Sequence, residues 1–391
     1  MVKYNKREVL KLKKKSLLAL SCMFIIGIFI GCSGSKEITE EYSKSDILKE
    51  VIEEEKIEML DAEYKKIKDS DINKIEKIES ECKEIKNTVE VGASEGLVIK
   101  SDGEIIDTIE IEEDGNSILE YEVNDDFIVW IESNWLGGGD QSFEKPDSVQ
   151  WAVYYKEIGT NEVKNLEKNK YPRIEELNVS DGLELDGDNL VYRTYVTIDE
   201  KLYPNIVSCN LKSNEKIFIT NNSKEKNEGY IMNSISGNNI VYTSGKNSEN
   251  GLVDESVVMY NIETKEKSVI IDEVGIGWLD LKNNKVAVNV TTLEGESMYY
   301  YDIEENKIYN LFYEGSKIRE KFEFEDIKGF ENMTFEFLSD NYLRIAVSGK
   351  TEMLLYDFKN NEFLDVSTVA FDNPKLQVHL KCGNLRYSSI K

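Results

Sequence analysis

The sequence predicts an all-β domain over residues 93–391, and three observations carry that expectation. After Val89, short β-rich runs alternate with turn clusters. A turn followed by an apolar strand recurs at 126–130, 188–192, 238–242, 283–287 and 340–344. A strand, a polar turn and another strand follow each of these, around Tyr155, Cys209, Tyr260, Tyr301 and Tyr356. These second units lie 54, 51, 41 and 55 residues apart, and four-stranded propeller blades repeat at about 40–50 residues. The two ends complete the count. Residues 376–380 and 383–387 have the pattern of a blade's first two strands, and 97–100 and 105–109 that of its last two. The expected fold is therefore a six-bladed β-propeller with one blade shared by both chain ends. Closure of that kind removes exposed sheet edges. Five blades with stray hairpins is the alternative.

The N-terminal region has a different texture. Lys11, Lys13, Lys14 and Lys15 form a basic stretch, and residues 16–31 form an uncharged apolar run. That run is shorter than the ~20 residues a spanning helix needs and suits a secretory signal. It ends at Gly31-Cys32-Ser33-Gly34-Ser35. This string resembles a bacterial lipobox, with Phe29 standing where Leu is usual. The resemblance implies cleavage after Gly31, thioether lipidation of Cys32 and acylation of the new amino terminus. Cys22 is a competing acceptor, but cleavage there would leave a very short apolar run. An uncleaved anchor over 16–31 is the other alternative, and either outcome tethers the protein to the cell membrane. Two or three acyl chains suffice for stable anchoring.

Beyond Cys32, residues 32–44 read as a flexible tether and residues 45–88 as a charged helical spacer. Residues 36–88 lack Gly and Pro. Ile47, Leu48, Val51 and Ile52 recur at helical spacing after Ser45; Ile72, Ile75, Ile78, Cys82 and Ile85 do so after Asp71. The cysteines left after Cys22 and Cys32 are Cys82, Cys209 and Cys382. They are odd in number and widely spaced, so no essential disulfide is expected, although one pair remains open.

The chain carries −27. Seven Lys/Arg against Glu8 make residues 1–31 net +6, so the remainder carries −33. Such a field repels nucleic acid and favours cationic ligands, metal ions or basic proteins.

The repeat strings Asn238-Asn239-Ile240-Val241-Tyr242 and Tyr260-Asn261-Ile262-Glu263-Thr264-Lys265-Glu266, with Tyr171-Pro172-Arg173-Ile174, give the domain a further likeness. It resembles the TolB-like six-bladed propellers of many bacterial surface and periplasmic proteins, over roughly residues 93–391. That family includes binding platforms and enzyme accessory domains, so the resemblance implies an architecture and leaves function to the site.

Propeller loops segregate by face, and the long links expected at 133–150, 194–205, 244–256 and 311–332 share one. The richest holds Trp135, three glycines, Asp140, Glu144 and Asp147, and runs to Trp151. Trp135 and Trp151 suggest stacking on a sugar or peptide, and the three acids suggest Ca²⁺, though not with EF-hand spacing. His379, the only histidine, falls on a predicted innermost strand, where it would suit a metal ligand or general base. One histidine makes no multi-His site, and no Gly-x-Ser-x-Gly string is present. The repeated tyrosines are expected to pack between blades. No catalytic residue is assigned. The expected function is a membrane-anchored extracytoplasmic binding or scaffolding module for a protein or glycan of the cell envelope. A metal-dependent hydrolase of six-bladed propeller type is the alternative.

Overall fold

The computed structural model describes residues 41–42, 48–49, 57–82, 87–91, 96–135, 148–172, 182–224, 226–230, 232–248, 251–292, 295–313, 315–318, 333–347, 353–369 and 371. All lie within one unit of the chain, Thr39–Lys391.

Four short strands come first: β1 (Glu41–Tyr42), β2 (Leu48–Lys49), β3 (Ile57–Met59) and β4 (Glu63–Lys66). The helix α1 (Ile72–Glu81) follows. β5 (Asn87–Val91), β6 (Leu97–Ser101) and β7 (Glu104–Ile109) form an antiparallel three-stranded sheet. β8 (Ser117–Val123), β9 (Phe127–Ser133), β10 (Ser148–Glu157) and β11 (Val163–Pro172) form a four-stranded one. The next group is β12 (Glu184–Asp186), β13 (Asn189–Ile198), β14 (Lys201–Asn210) and β15 (Glu215–Phe218). In the group after that, β16 (Glu228–Gly229) and β17 (Asn233–Ser236) both pair with β18 (Asn239–Ser248), then come β19 (Gly251–Asn261) and the first half of β20 (Lys267–Lys282). The second half of β20 opens a group with β21 (Lys285–Thr292), β22 (Gly295–Asp302) and β23 (Lys307–Asn310). The last is β24 (Met333–Phe337), β25 (Tyr342–Val347), β26 (Met353–Asp357) and β27 (Glu362–Asp365). The protein is thus mostly β, propeller-like in its succession of small antiparallel sheets.

Alternation along the middle strands explains the stacking. In β9, Phe127, Val129 and Ile131 face the β12–β15 sheet with Leu190, Tyr192 and Val207, while Ile128 and Trp130 face the β5–β7 sheet with Leu97 and Ile99. In β13, Leu190 and Tyr192 look back and Val191 looks forward to Ile240 and Tyr260. Two further cores continue the pattern, one joining Val241 to Val286 and the other Ala287 to Phe335. A strand buried on both faces reads as a near-continuous apolar run, which is why these segments stand out in the sequence. The repeated tyrosines Tyr192, Tyr242, Tyr260, Tyr301 and Tyr356 all sit in these inter-sheet cores.

The second repeat also has a physical cause. Asn210, Asn261, Asp302 and Asp357 each turn a side-chain oxygen onto backbone N–H groups of their own turn. Each turn then ends on a left-handed residue: Asn214, Lys265, Asn306 and Asn361. The residue after the third strand also donates its N–H to the preceding hairpin turn in all five repeats. The bonds are Ile158 to Asp126, Leu211 to Asp188, Ile262 to Asn238, Ile303 to Asn284 and Phe358 to Asn341, at 2.7–3.0 Å.

The N-terminal strands correct the expected spacer. β1 pairs in parallel with β15, β2 with β20, β3 with β23 and β4 with β27. The chain therefore straps four consecutive sheets on their outer edges. Helix is confined, among the described residues of 45–88, to Ile72–Glu81, and the tether of 32–44 includes β1. The physical reason is competition for hydrogen bonds. Each outer strand offers unpaired N–H and C=O groups, and the segment satisfies them, whereas a short Glu/Lys-rich helix gains little on its own. Ion pairs reinforce the strap: Lys65 and Lys74 with Glu362, and Lys307 with Glu58. In α1 the expected stripe is half used. Ile78 and Cys82 are buried against Leu338, Tyr342, Leu355 and Leu364, whereas Ile72 is exposed. The Asp71 carboxylate accepts from the Lys68 N–H rather than capping the helix.

Two more boundaries shift. β5 adds Asn87–Val91 to the body, ahead of the expected start at 93, so the N-terminal side gives this sheet three strands instead of two. The C-terminal strands expected at 376–380 and 383–387 lie outside the described residues. Cys82 and Cys209 are buried in different cores.

Deleting residues 39–66 should leave four outer edges unpaired. The expected outcome is a lower urea midpoint together with self-association, read by light scattering. An unaltered midpoint in a monomeric variant would contradict the strap.

Candidate functional site

The face expected to carry long loops is built differently. Residues 194–205 are not a loop: β13 and β14 pair without interruption from Asn189↔Asn210 to Ile198↔Lys201. Asp199 and Glu200, with φ of 50° and 64°, make the two-residue turn, which fits the twist of a hairpin. Residues 244–256 are likewise a hairpin, paired to Ser248↔Gly251. Alternating β-branched and aromatic side chains in Thr194, Tyr195, Val196 and Thr197 favour the strand over the expected link.

At the root of the glycine-rich segment lies an aromatic cluster. Ser133 pairs with Trp151 across β9 and β10, and the Asn134 side chain ties the two strands through the Gln150 N–H and the Ser148 carbonyl. Burial is where the structure puts both candidate indoles: Trp135 is 8% and Trp151 1% exposed, inside the core between the β8–β11 and β12–β15 sheets. Trp151 packs against Tyr171 and Tyr192 at 6.3 Å each, and Tyr171 meets Tyr195 edge-on at 5.9 Å. Of this cluster, Tyr195 is half-buried, with the Arg193 guanidinium over its ring. Asp140, Glu144, Asp147 and His379 lie outside the described residues, as do Gly31 and Cys32.

Beneath the aromatics, Glu167 gathers polar groups from two sheets. Its carboxylate accepts from the Tyr192 hydroxyl (2.9 Å), the Thr194 hydroxyl, the Asn169 amide (2.6 Å) and the Lys216 ammonium (2.5 Å). Burial, then the Glu167 charge, hold the Tyr192 and Tyr171 phenols well above their ordinary range. The Tyr192 hydroxyl donates to Glu167, the Tyr171 hydroxyl accepts from the Asn169 amide, and both rings pack in the core. The Cys209 thiol is pushed up to about 11 by burial and is no nucleophile at neutral pH.

A second line of polar groups joins the first strands of successive sheets. Asn233 on β17 donates to the Gly182 carbonyl at 2.7 Å, and a Cβ on Gly182 would meet the Asn233 Oδ1 at 2.4 Å. Gly237 donates its N–H to Asp186 at 2.6 Å. Asp280, half-buried on β20, accepts from the Ser234 hydroxyl of β17 (3.2 Å) and the Phe337 N–H of β24 (2.7 Å). One carboxylate thus ties three sheets. Burial first, then the charge of Glu336, pushes its pKa up to about 6. Glu132 on β9 holds the link between β7 and β8, accepting from the Glu112 and Glu113 N–H groups and from the Trp130 indole.

Among the described residues no three His, Cys, Asp or Glu side chains group in a way that holds a metal ion. Lys156 with Asp107, Glu120 with the Leu183 N–H, Glu167 and Asp280 act as braces between sheets. Sequence reasoning passed over Asp280 and Glu167. Asp280 had a readable signal, an acid inside the apolar run Trp278-Leu279-Asp280-Leu281, whereas Glu167 sits among Lys and Asn with no such contrast.

No protein-family model and no curated protein sequence matches the chain. Among solved structures it is similar to dipeptidyl peptidase 4 of Porphyromonas gingivalis, at 14% identity over 76% of this chain and 48% of that one, TM-score 0.45. It is similar to acylaminoacyl peptidase of Pyrococcus horikoshii, at 12% identity over 78% and 44%, TM-score 0.46. An oligogalacturonate lyase in complex with manganese gives 10% identity over 71% and 72%, TM-score 0.43. The chain spans under half the length of the two peptidases. Likeness at this level says nothing of this chain's activity.

The raised pKa of Asp280 has a definite sign. The folded state prefers the protonated acid, so its stabilising contribution is full below about 3.8 and is lost as pH rises through about 6. In thermal unfolding, the Tm advantage of the native chain over Asp280→Asn should be largest near pH 4 and shrink toward pH 7. A difference that grows over that range would contradict the assignment.

Proposed function

We propose that this chain is a membrane-anchored extracytoplasmic lipoprotein whose propeller domain acts as a binding or scaffolding module for a protein or glycan at the cell envelope. The observation that carries the module reading is how the described residues use their chemistry. Glu167 and Asp280 are engaged in holding sheets together and Glu132 in holding the β7–β8 link, which makes a rigid platform. Anchoring is supported by the basic stretch, the apolar run of 16–31 and Gly31-Cys32.

The platform is a closed six-bladed ring in this proposal. Its support is the three-stranded β5–β7 sheet beside neighbours with four strands, and Asn87, whose amide donates to the Asn124 carbonyl at the end of β8. In this proposal β5 takes the second-strand position of the shared blade and 376–380 supplies the first.

Two experiments test these readings. Metabolic labelling with an alkyne fatty acid should tag the native chain, and Cys32→Ser should abolish the tag and release the protein from washed membranes. Retained label or retained attachment would sink the anchor, and label lost only with Cys22→Ser would move it. Crosslinking in intact envelopes followed by capture should recover a specific protein or glycan; background alone argues against the module. Truncation after 371 should lower Tm by several degrees, because one blade loses a strand. An unchanged Tm would contradict closure by the C-terminal segment.

A further inference from the structure

We propose that the outer edge of β7 (Glu104–Ile109) is a docking strand for an extended, Lys- or Arg-bearing segment of a partner protein, which adds to the β5–β7 sheet as its outermost strand. The inference rests on the module reading above and names the site and the partner's chemistry. Strand addition is already the rule in this molecule: β15, β20, β23 and β27 each take a short parallel strand from the N-terminal strap. Among the described residues β7 pairs with β6 alone. It also exposes apolar surface. Ile105 is 63% and Ile106 41% exposed, two of the four large apolar side chains so exposed among the described residues. The pairing shifts register between Ile99 and Lys100, which leaves Ile106 without an opposite residue on β6 and turns it outward.

Charge selects the occupant. Residues 101–116 contain seven acids and no Lys or Arg. Asp107 and Glu113 are held by Lys156 and Lys168, while Asp102, Glu104, Glu110, Glu112 and Asp114 are exposed. A second copy pairing through its own β7 would set acids against acids, which opposes self-association. A strand with alternating cations meets them as Lys65 and Lys307 meet acids along the strap. Backbone bonds would supply affinity, with the isoleucines and acids supplying selection.

The test uses the full processed chain and two short peptides of equal charge: one alternating Lys with Val, one alternating Lys with Pro, which lacks the N–H groups a strand needs. The Lys-Val peptide should bind, slow amide exchange at Glu104–Ile109 and weaken with salt, while the Lys-Pro peptide should not protect those amides. Glu104→Lys with Glu110→Lys, both exposed, should weaken binding about tenfold. Equal binding of both peptides, protection mapped to β11 instead, insensitivity to the double variant, or dimerisation blocked by it would each overturn the proposal. Envelope crosslinking that still captures a partner in the double variant would sink the β7 site while leaving the module reading in place.

Discussion

Two-sided burial of the middle strands is the constraint on which the rest of this molecule depends. A strand such as β9 or β13 presents apolar side chains to both neighbours, so no single sheet is a stable object. Each is stable only between two others, and the cores that result are shared rather than owned. On the β24–β27 sheet, α1 covers part of the face turned away from β20–β23, with Ile78 and Cys82 against Leu338, Tyr342, Leu355 and Leu364.

Stacking by itself leaves sheets free to slide, and the polar braces remove that freedom. Asp280 contacts β17 and β24 from β20, and Glu167 contacts β13 and β15 from β11. Hydrogen bonds are directional where apolar contacts are not, so a buried carboxylate with donors from two sheets selects one relative position. Beside the Glu167 brace, the Tyr192 phenol and the Cys209 thiol are held in their neutral forms. A scaffold whose ionisable groups are spent on alignment has its edges and loops left for recognition. The strap extends that logic to the outer edges, where hydrogen-bonding groups would otherwise meet solvent or another chain.

How far the sequence could be read follows from which interactions are local. The turn-plus-strand repeats were legible because each turn is made by its own residues: Asn261 or Asp302 bonds the N–H groups two and three positions on. The continuous apolar runs announced two-sided burial before any partner was known. The long links at 194–205 and 244–256 were misjudged because polar residues such as Thr194, Asn205 and Ser256 sit on paired strands there, where hydrophobic contrast is weak. The aromatic candidates Trp135 and Trp151 stand out in the sequence, but their burial depends on Tyr171 and Tyr192, which arrive from other strands.

The sequence by itself determined the all-β class, the repeat length, the turn chemistry and the charge, since these reside in neighbouring residues and in simple sums. Only the tertiary structure decided the pairing of β1, β2, β3 and β4. Their Glu- and Lys-rich composition suits a helix when considered alone, and that local preference is worth only tenths of a kcal/mol per residue. Against it stand rows of unpaired backbone groups on four outer strands far along the chain, and no local pattern can report their position.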